Sequence, residues 1–208
     1  MPHTPTELPC LLFQGDSITA AGRAPDDPEG LGEGYVQVIH QRLEAVGKPA
    51  RLLNRGVNGH GSAELPARWQ RDTLASGPHV VTLLVGINDV WRRATGLRRL
   101  PVDAYERSLR ALIEQTRDVG ARLVLLEPFL VPVRAEQWLW RADLDARIQV
   151  VRRLAAEYGA ALIALDGMLN QAASAAGGAE KITEDGIHPT PLGHTLIAEA
   201  WLDAQVAV

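Results

Sequence analysis

The stretch His79-Val80-Val81-Thr82-Leu83-Leu84-Val85, stopping at Gly86-Ile87-Asn88-Asp89, decides the fold. It is a continuous apolar run instead of an apolar/polar alternation, so a strand made from it must be covered on both faces, as in a parallel sheet. Outward from it, similar runs occupy Leu8 to Phe13, Arg51 to Asn54, Ala121 to Leu126 and Ala160 to Leu165. Amphipathic stretches lie between them, from Tyr35 to Val46, Ala63 to Ala75, Val102 to Val119, Ala142 to Tyr158 and Pro191 to about Ala204. In the third, Leu109, Leu112, Ile113 and Thr116 form an i, i+3, i+4 stripe opposite Arg107, Arg110, Glu114 and Arg117, the signature of a helix with one buried face.

Strands alternating with helices along the whole length predict an α/β fold. The expected architecture is a three-layer α/β/α sandwich with a flavodoxin-like five-stranded parallel sheet in the order 2-1-3-4-5, forming a single domain over residues 1–208. Ala172 to Ala179, containing Gly177-Gly178, reads as a loop, and the insertion around Pro132 to Trp140 after the fourth strand reads as a lid or an oligomer contact.

Composition narrows the function classes. The 208 residues are 46% hydrophobic and 22% charged, ordinary globular values. The net charge of −4 comes from 21 Lys and Arg interspersed with 25 Asp and Glu, which leaves no basic footprint for nucleic acid or an anionic membrane. One cysteine, Cys10, can form neither an internal disulfide nor a structural zinc site. Residues 1–7 lack the basic start and the apolar run of about 7–15 residues of a secretory signal, so a cytoplasmic location is expected. No apolar run approaches the roughly 20 residues that span a bilayer. Five of the ten aromatic residues are Trp; Trp69, Trp138, Trp140 and Trp201 are expected to pack in the core or at an interface.

The irregular chemistry falls where an open parallel sheet binds ligands, beyond the carboxyl ends of its strands. Gly15-Asp16-Ser17-Ile18-Thr19 follows the first strand, Arg55-Gly56-Val57-Asn58-Gly59-His60-Gly61 the second and Gly86-Ile87-Asn88-Asp89 the third. In the order 2-1-3 these loops lie side by side, about 4.8 Å apart at the strands. Ser17 alone is a good helix N-cap; as a nucleophile it needs a base and a group to orient that base. Asp185-Gly186-Ile187-His188-Pro189 supplies both, because a turn through Gly186 can bring the Asp185 carboxylate to Nδ1 of His188 and leave Nε2 for Ser17. The N–H groups of Ser17 and Gly59 and the amide of Asn88 are the candidate oxyanion donors. Each block alone has a plain structural reading as a cap or a turn; their joint occurrence, each after its own strand, points to acyl transfer.

These four blocks resemble the SGNH hydrolases, also called GDSL esterases, over about Leu11 to His194. The resemblance implies Ser17 as nucleophile, His188 as base, Asp185 as its orienter, and Gly59 and Asn88 as oxyanion donors. The spacing from Asn54 to Gly59 matches the family's Asn-x-x-x-x-Gly and favours Gly59 over Gly56. Gly22-Arg23, Leu31-Gly32-Glu33-Gly34-Tyr35-Val36, Ala67-Arg68-Trp69 and Val90-Trp91-Arg92 are similar to the intracellular bacterial acetylxylan esterases of that superfamily, with a departure at Glu184, where an aromatic residue is expected. The resemblance implies a serine esterase acting on a small acetylated carbohydrate or another ester, with Asp16, Arg55, Asn58 and Trp91 as candidate substrate contacts.

Neither a metal nor another cofactor is expected: His40, His60 and His79 lie in different elements without zinc-site spacing, and no GxGxxG or GxxxxGK[ST] follows a strand. The competing readings are a lysophospholipase or thioesterase taking longer acyl chains and a non-catalytic flavodoxin-like binding module. Self-association is an expectation to which no residue pattern assigns an interface.

Overall fold

The computed structural model describes residues 8–97 and 100–204; the leader reading of residues 1–7 lies outside them. Five strands, β1 (Cys10–Gly15), β2 (Arg51–Asn54), β3 (Val80–Leu84), β4 (Arg122–Leu126) and β5 (Ala161–Ile163), form one sheet in the order β2-β1-β3-β4-β5, every pair parallel. The helices are α1 (Ser17–Ala20), α2 (Tyr35–Ala45), α3 (Pro66–Asp72), α4 (Ile87–Ala94), α5 (Val102–Asp118), α6 (Arg141–Tyr158), α7 (Leu165–Ala176) and α8 (Pro191–Asp203). Among the described residues, no helix is long and apolar enough to cross a membrane.

Side chains alternate across a strand, so the continuous runs feed two cores. Leu11 and Phe13 of β1 pack with Ile39 of α2, Leu169 of α7 and Trp201 of α8. Leu12 packs on the other face with Trp69 of α3, Leu109 of α5 and Val151 of α6. Burying each such side chain contributes about 1.5–3 kcal/mol. Even the polar residue inside β3 is accounted for, because the Thr82 hydroxyl accepts from the Trp201 indole N–H at 2.9 Å.

Two expectations need correction. The C-terminal half of α7 occupies Ala172 to Ala176, where a loop was expected; alanine is the strongest helix former, and Leu165, Leu169 and Ala173 bury a stripe at i, i+4, i+8, with Gly177 ending the helix in the left-handed region. The fifth strand stops at Ile163, and Leu165 already belongs to that helix. Trp69 and Trp201 are core residues as expected, but Trp138 is 61% exposed, in a 3-10 turn over Ala135–Trp140 that joins the insertion to α6.

Candidate active site

Ser17 is the first residue of α1, immediately past β1, and its N–H therefore has no partner inside the helix. Gly15 lets this turn sit close to its neighbours: a Cβ there would lie 2.3 Å from the Thr19 hydroxyl and 2.4 Å from the Leu84 carbonyl. Asp16 caps the helix, its Oδ1 accepting from Ile18 N at 2.9 Å. It is fully buried, and Oδ2 has no partner among the described residues. Burial pushes its carboxyl up to about 7, against the lowering effects of the Ile18 N–H and of His188.

The loop after β2 is gripped by one helix. Asn88 Nδ2 of α4 donates to His60 O at 3.0 Å, Asp89 accepts from Ser62 N at 3.0 Å, and Arg92 donates to Gly59 O at 2.5 Å and pairs with Glu64 at 3.0 Å. Asn88 keeps a second amide hydrogen after that bond. Gly59, at φ +75°, sits inside a turn closed by His60 N to Val57 O, and among the described residues no acceptor takes its N–H. Burial raises the Asp89 carboxyl, against the lowering contribution of the Ser62 N–H. Two further side chains brace the strand ends: Asn54 donates to Thr19 O and Leu31 O, both at 2.7 Å, and buried Arg68 donates to Gly15 O at 3.1 Å and Arg55 O at 2.8 Å.

The opposite wall is the segment between α7 and α8. Ser17 Oγ lies 2.9 Å from His188 Nε2, and His188 Nδ1 lies 2.8 Å from Asp185 Oδ2. Asp185 Oδ1 also accepts from the N–H groups of Ile187 and His188, at 2.9 and 2.8 Å. Burial pushes this carboxyl up, but those hydrogen bonds outweigh it and hold Asp185 below its ordinary value. His194 Nδ1 accepts from Tyr35 N at 3.2 Å; burial, reinforced by His188, lowers its pKa to about 4, so the ring is neutral near pH 7.

Beside Ser17 and His188 opens a crevice of about 420 Å³ lined by Ser17, Ala21, Gly22, Glu33, Asn58, Glu184, His188, Pro189, Pro191 and His194; Gly59 and Asn88 are not among its lining residues. Of the candidate substrate contacts, Asn58 lines it and three do not. Asp16 is buried beneath Ser17. Arg55 turns away to donate to Pro28 O at 2.6 Å. Trp91, 37% exposed, stands one turn after Asn88 on α4. Glu33, His194 and Glu184 line the crevice although they were not candidate contacts, and their only signal in the sequence was proximity to the recognised blocks.

A serine, a neutral-capable imidazole and a carboxylate in hydrogen-bonded series, at the carboxyl edge of a doubly wound sheet, define a class of serine-dependent hydrolases. The chain belongs to the GDSL-like lipase/acylhydrolase family, which it matches over residues 13–196, and it is a carboxylic ester hydrolase. It is 34% identical over 202 residues to an acetylxylan esterase of Geobacillus stearothermophilus, covering 92% of this chain and 91% of that protein. It is 29% identical over 184 residues to esterase TesA of Pseudomonas aeruginosa, covering 86% and 79%. The crystal structure of Axe2, an acetylxylan esterase from G. stearothermophilus, superposes with a TM-score of 0.88 at 31% identity, covering 97% of this chain and 96% of that one.

Proposed function

We propose that this esterase removes acetyl groups from small carbohydrates, acetylated xylo-oligosaccharides first among them, through an acetyl-enzyme on Ser17. Ser17 Oγ attacks the ester carbonyl while His188 Nε2 takes its proton, and Asp185 holds the ring through Nδ1–H. The tetrahedral oxyanion is met by the N–H groups of Ser17 and Gly59 and the free amide hydrogen of Asn88. Collapse expels the sugar alkoxide, which takes the proton from His188; water, deprotonated by His188, then attacks the acetyl-enzyme, and collapse of that second tetrahedral intermediate breaks the Ser17 Oγ–acyl bond, releasing acetate as His188 returns the proton to Ser17 Oγ.

The observation that carries the substrate class is the lining of the crevice beside Ser17. It contains no aliphatic side chain larger than Ala or Pro and presents two exposed carboxylates, Glu33 and Glu184, with Asn58 and His194. Carboxylates accept hydrogen bonds from sugar hydroxyls, whereas an acyl chain laid against them forces their desolvation without compensation. The acetylxylan esterase relative supports the same reading. The test is one panel of acetylated xylo-oligosaccharides and simple esters with acyl chains from C2 to C12. We expect the highest kcat/KM on the acetylated sugars and a fall with chain length; preference for C8 or longer would transfer the assignment to a lysophospholipase or thioesterase type.

A further inference from the structure

Gln137 belongs to the insertion that the sequence left without a role, yet it is fully buried and reaches the Asp185 segment. Its Oε1 accepts from the N–H groups of Val133 and Arg134 at 2.9 and 3.1 Å, and its Nε2 donates to the main-chain oxygen of Asp185 at 2.6 Å. The two N–H donors fix the orientation of the amide, because the flipped form would set its NH2 against both of them. From these contacts we infer that Gln137 is a positioning residue for the Asp185–His188 pair, acting through the backbone of Asp185 and touching no reacting atom.

The reason is the glycine that follows. The carbonyl of Asp185 lies in the peptide plane shared with Gly186, whose φ is +95°. Rotation of that plane changes the Asp185 backbone and with it the direction of the carboxylate, and a residue without Cβ opposes such rotation least. Gln137 fills the space where a Cβ would be, since a Cβ on Gly186 would lie 2.5 Å from Nε2. With Val131 N donating to Gly186 O at 3.0 Å, the strand-four connection holds two successive carbonyls of the segment from outside, while the carboxylate makes its bonds to His188 inside. The segment has little other regular support: one isolated bridge, Thr183 to Pro189, closes it.

This inference rests on Asp185 orienting His188, so the experiment carries Asp185→Asn as a control. Two variants are measured on a small acetate ester. Gln137→Met removes the amide at similar volume, and Gln137→Glu keeps an acceptor for Val133 and Arg134 but can donate to Asp185 O only while its buried carboxyl is protonated, so the loss of the donor is read above the pH at which it ionises. A misplacement of about 1 Å can cost on the order of 10²-fold in rate, so Gln137→Met, and Gln137→Glu once ionised, are expected to lose up to that much kcat with KM within twofold. The low-field proton resonance of the His188–Asp185 bond should broaden or shift upfield as the carboxylate is displaced from Nδ1. Among the described residues, Glu33, Glu184, Asp16 and His194 are chargeable groups near His188, and Gln137 hydrogen-bonds to none of them. A Gln137→Met enzyme with kcat within twofold of the parent, or a variant whose loss follows its melting temperature while the resonance stays in place, overturns the inference. An Asp185→Asn enzyme that keeps full activity overturns the underlying assignment instead.

Discussion

The two sides of the candidate site are built differently. The proposed donor wall, Ser17, Gly59 and Asn88, stands just past the ends of β1, β2 and β3, three adjacent strands whose register is set by the sheet. It is locked further by three residues of α4, with Asp89 only 3% exposed. The base wall, Asp185 and His188, belongs to no strand or helix, and its side chains are 42% and 46% exposed. In the proposed mechanism the groups that meet the developing charge are thus mounted at the ends of paired strands, whereas the proton carrier sits on a short turn held by hydrogen bonds from neighbouring segments.

The sharpest way to break this comparison is to remove one member from each wall. His188→Ala is expected to lower kcat on a small acetate by on the order of 10⁴ to 10⁶, because serine without a base is a poor nucleophile. Asn88→Ala is expected to lose about 10² to 10³, the usual effect of removing one oxyanion donor among several. If Asn88→Ala proved the costlier in steady-state kinetics, the division of labour between the walls would be wrong.

The smallest expected effect is on stability, and it sharpens the comparison through two buried groups of opposite behaviour. Asp16, under the donor wall, has its folded pKa raised from 3.8 to about 7, so the folded state holds more protons in that window and stability falls as pH rises through it. His194, beside the base wall, has its pKa lowered from 6.5 to about 4, so the unfolded state holds more protons there and stability rises with pH. Between about pH 4 and 6.5 the two slopes offset each other. Asp16→Asn, which keeps an acceptor for Ile18 N, is expected to leave a curve rising with pH in urea titrations, and His194→Gln a curve falling with pH. Parallel curves for the two variants would show that neither group titrates as its surroundings imply.

Much of this was legible in the residues. Runs such as Val80 to Leu84 carry their own evidence of two-sided burial, and the strand order places three loops together before any coordinates are seen. The pairing of Asp185 with His188 was legible because it is local, three residues apart across a glycine. Asp16 and Arg55, candidate contacts by their proximity to Ser17 and to the glycine loop, do not line the crevice, since proximity in sequence does not say which way a side chain points. The helical end of α7 was missed because two glycines drew attention from the alanines before them.

The sequence by itself determined the α/β alternation and the residue types of the site, because periodicity and turn chemistry act over a few residues and are written into every short window. Only the tertiary structure decided which groups face the crevice and which brace it. The burial of Asp16, the reach of Gln137 over 48 residues to Asp185 and the closure of Ser17 onto His188 across 171 residues depend on packing between distant segments, which no local window of the chain contains.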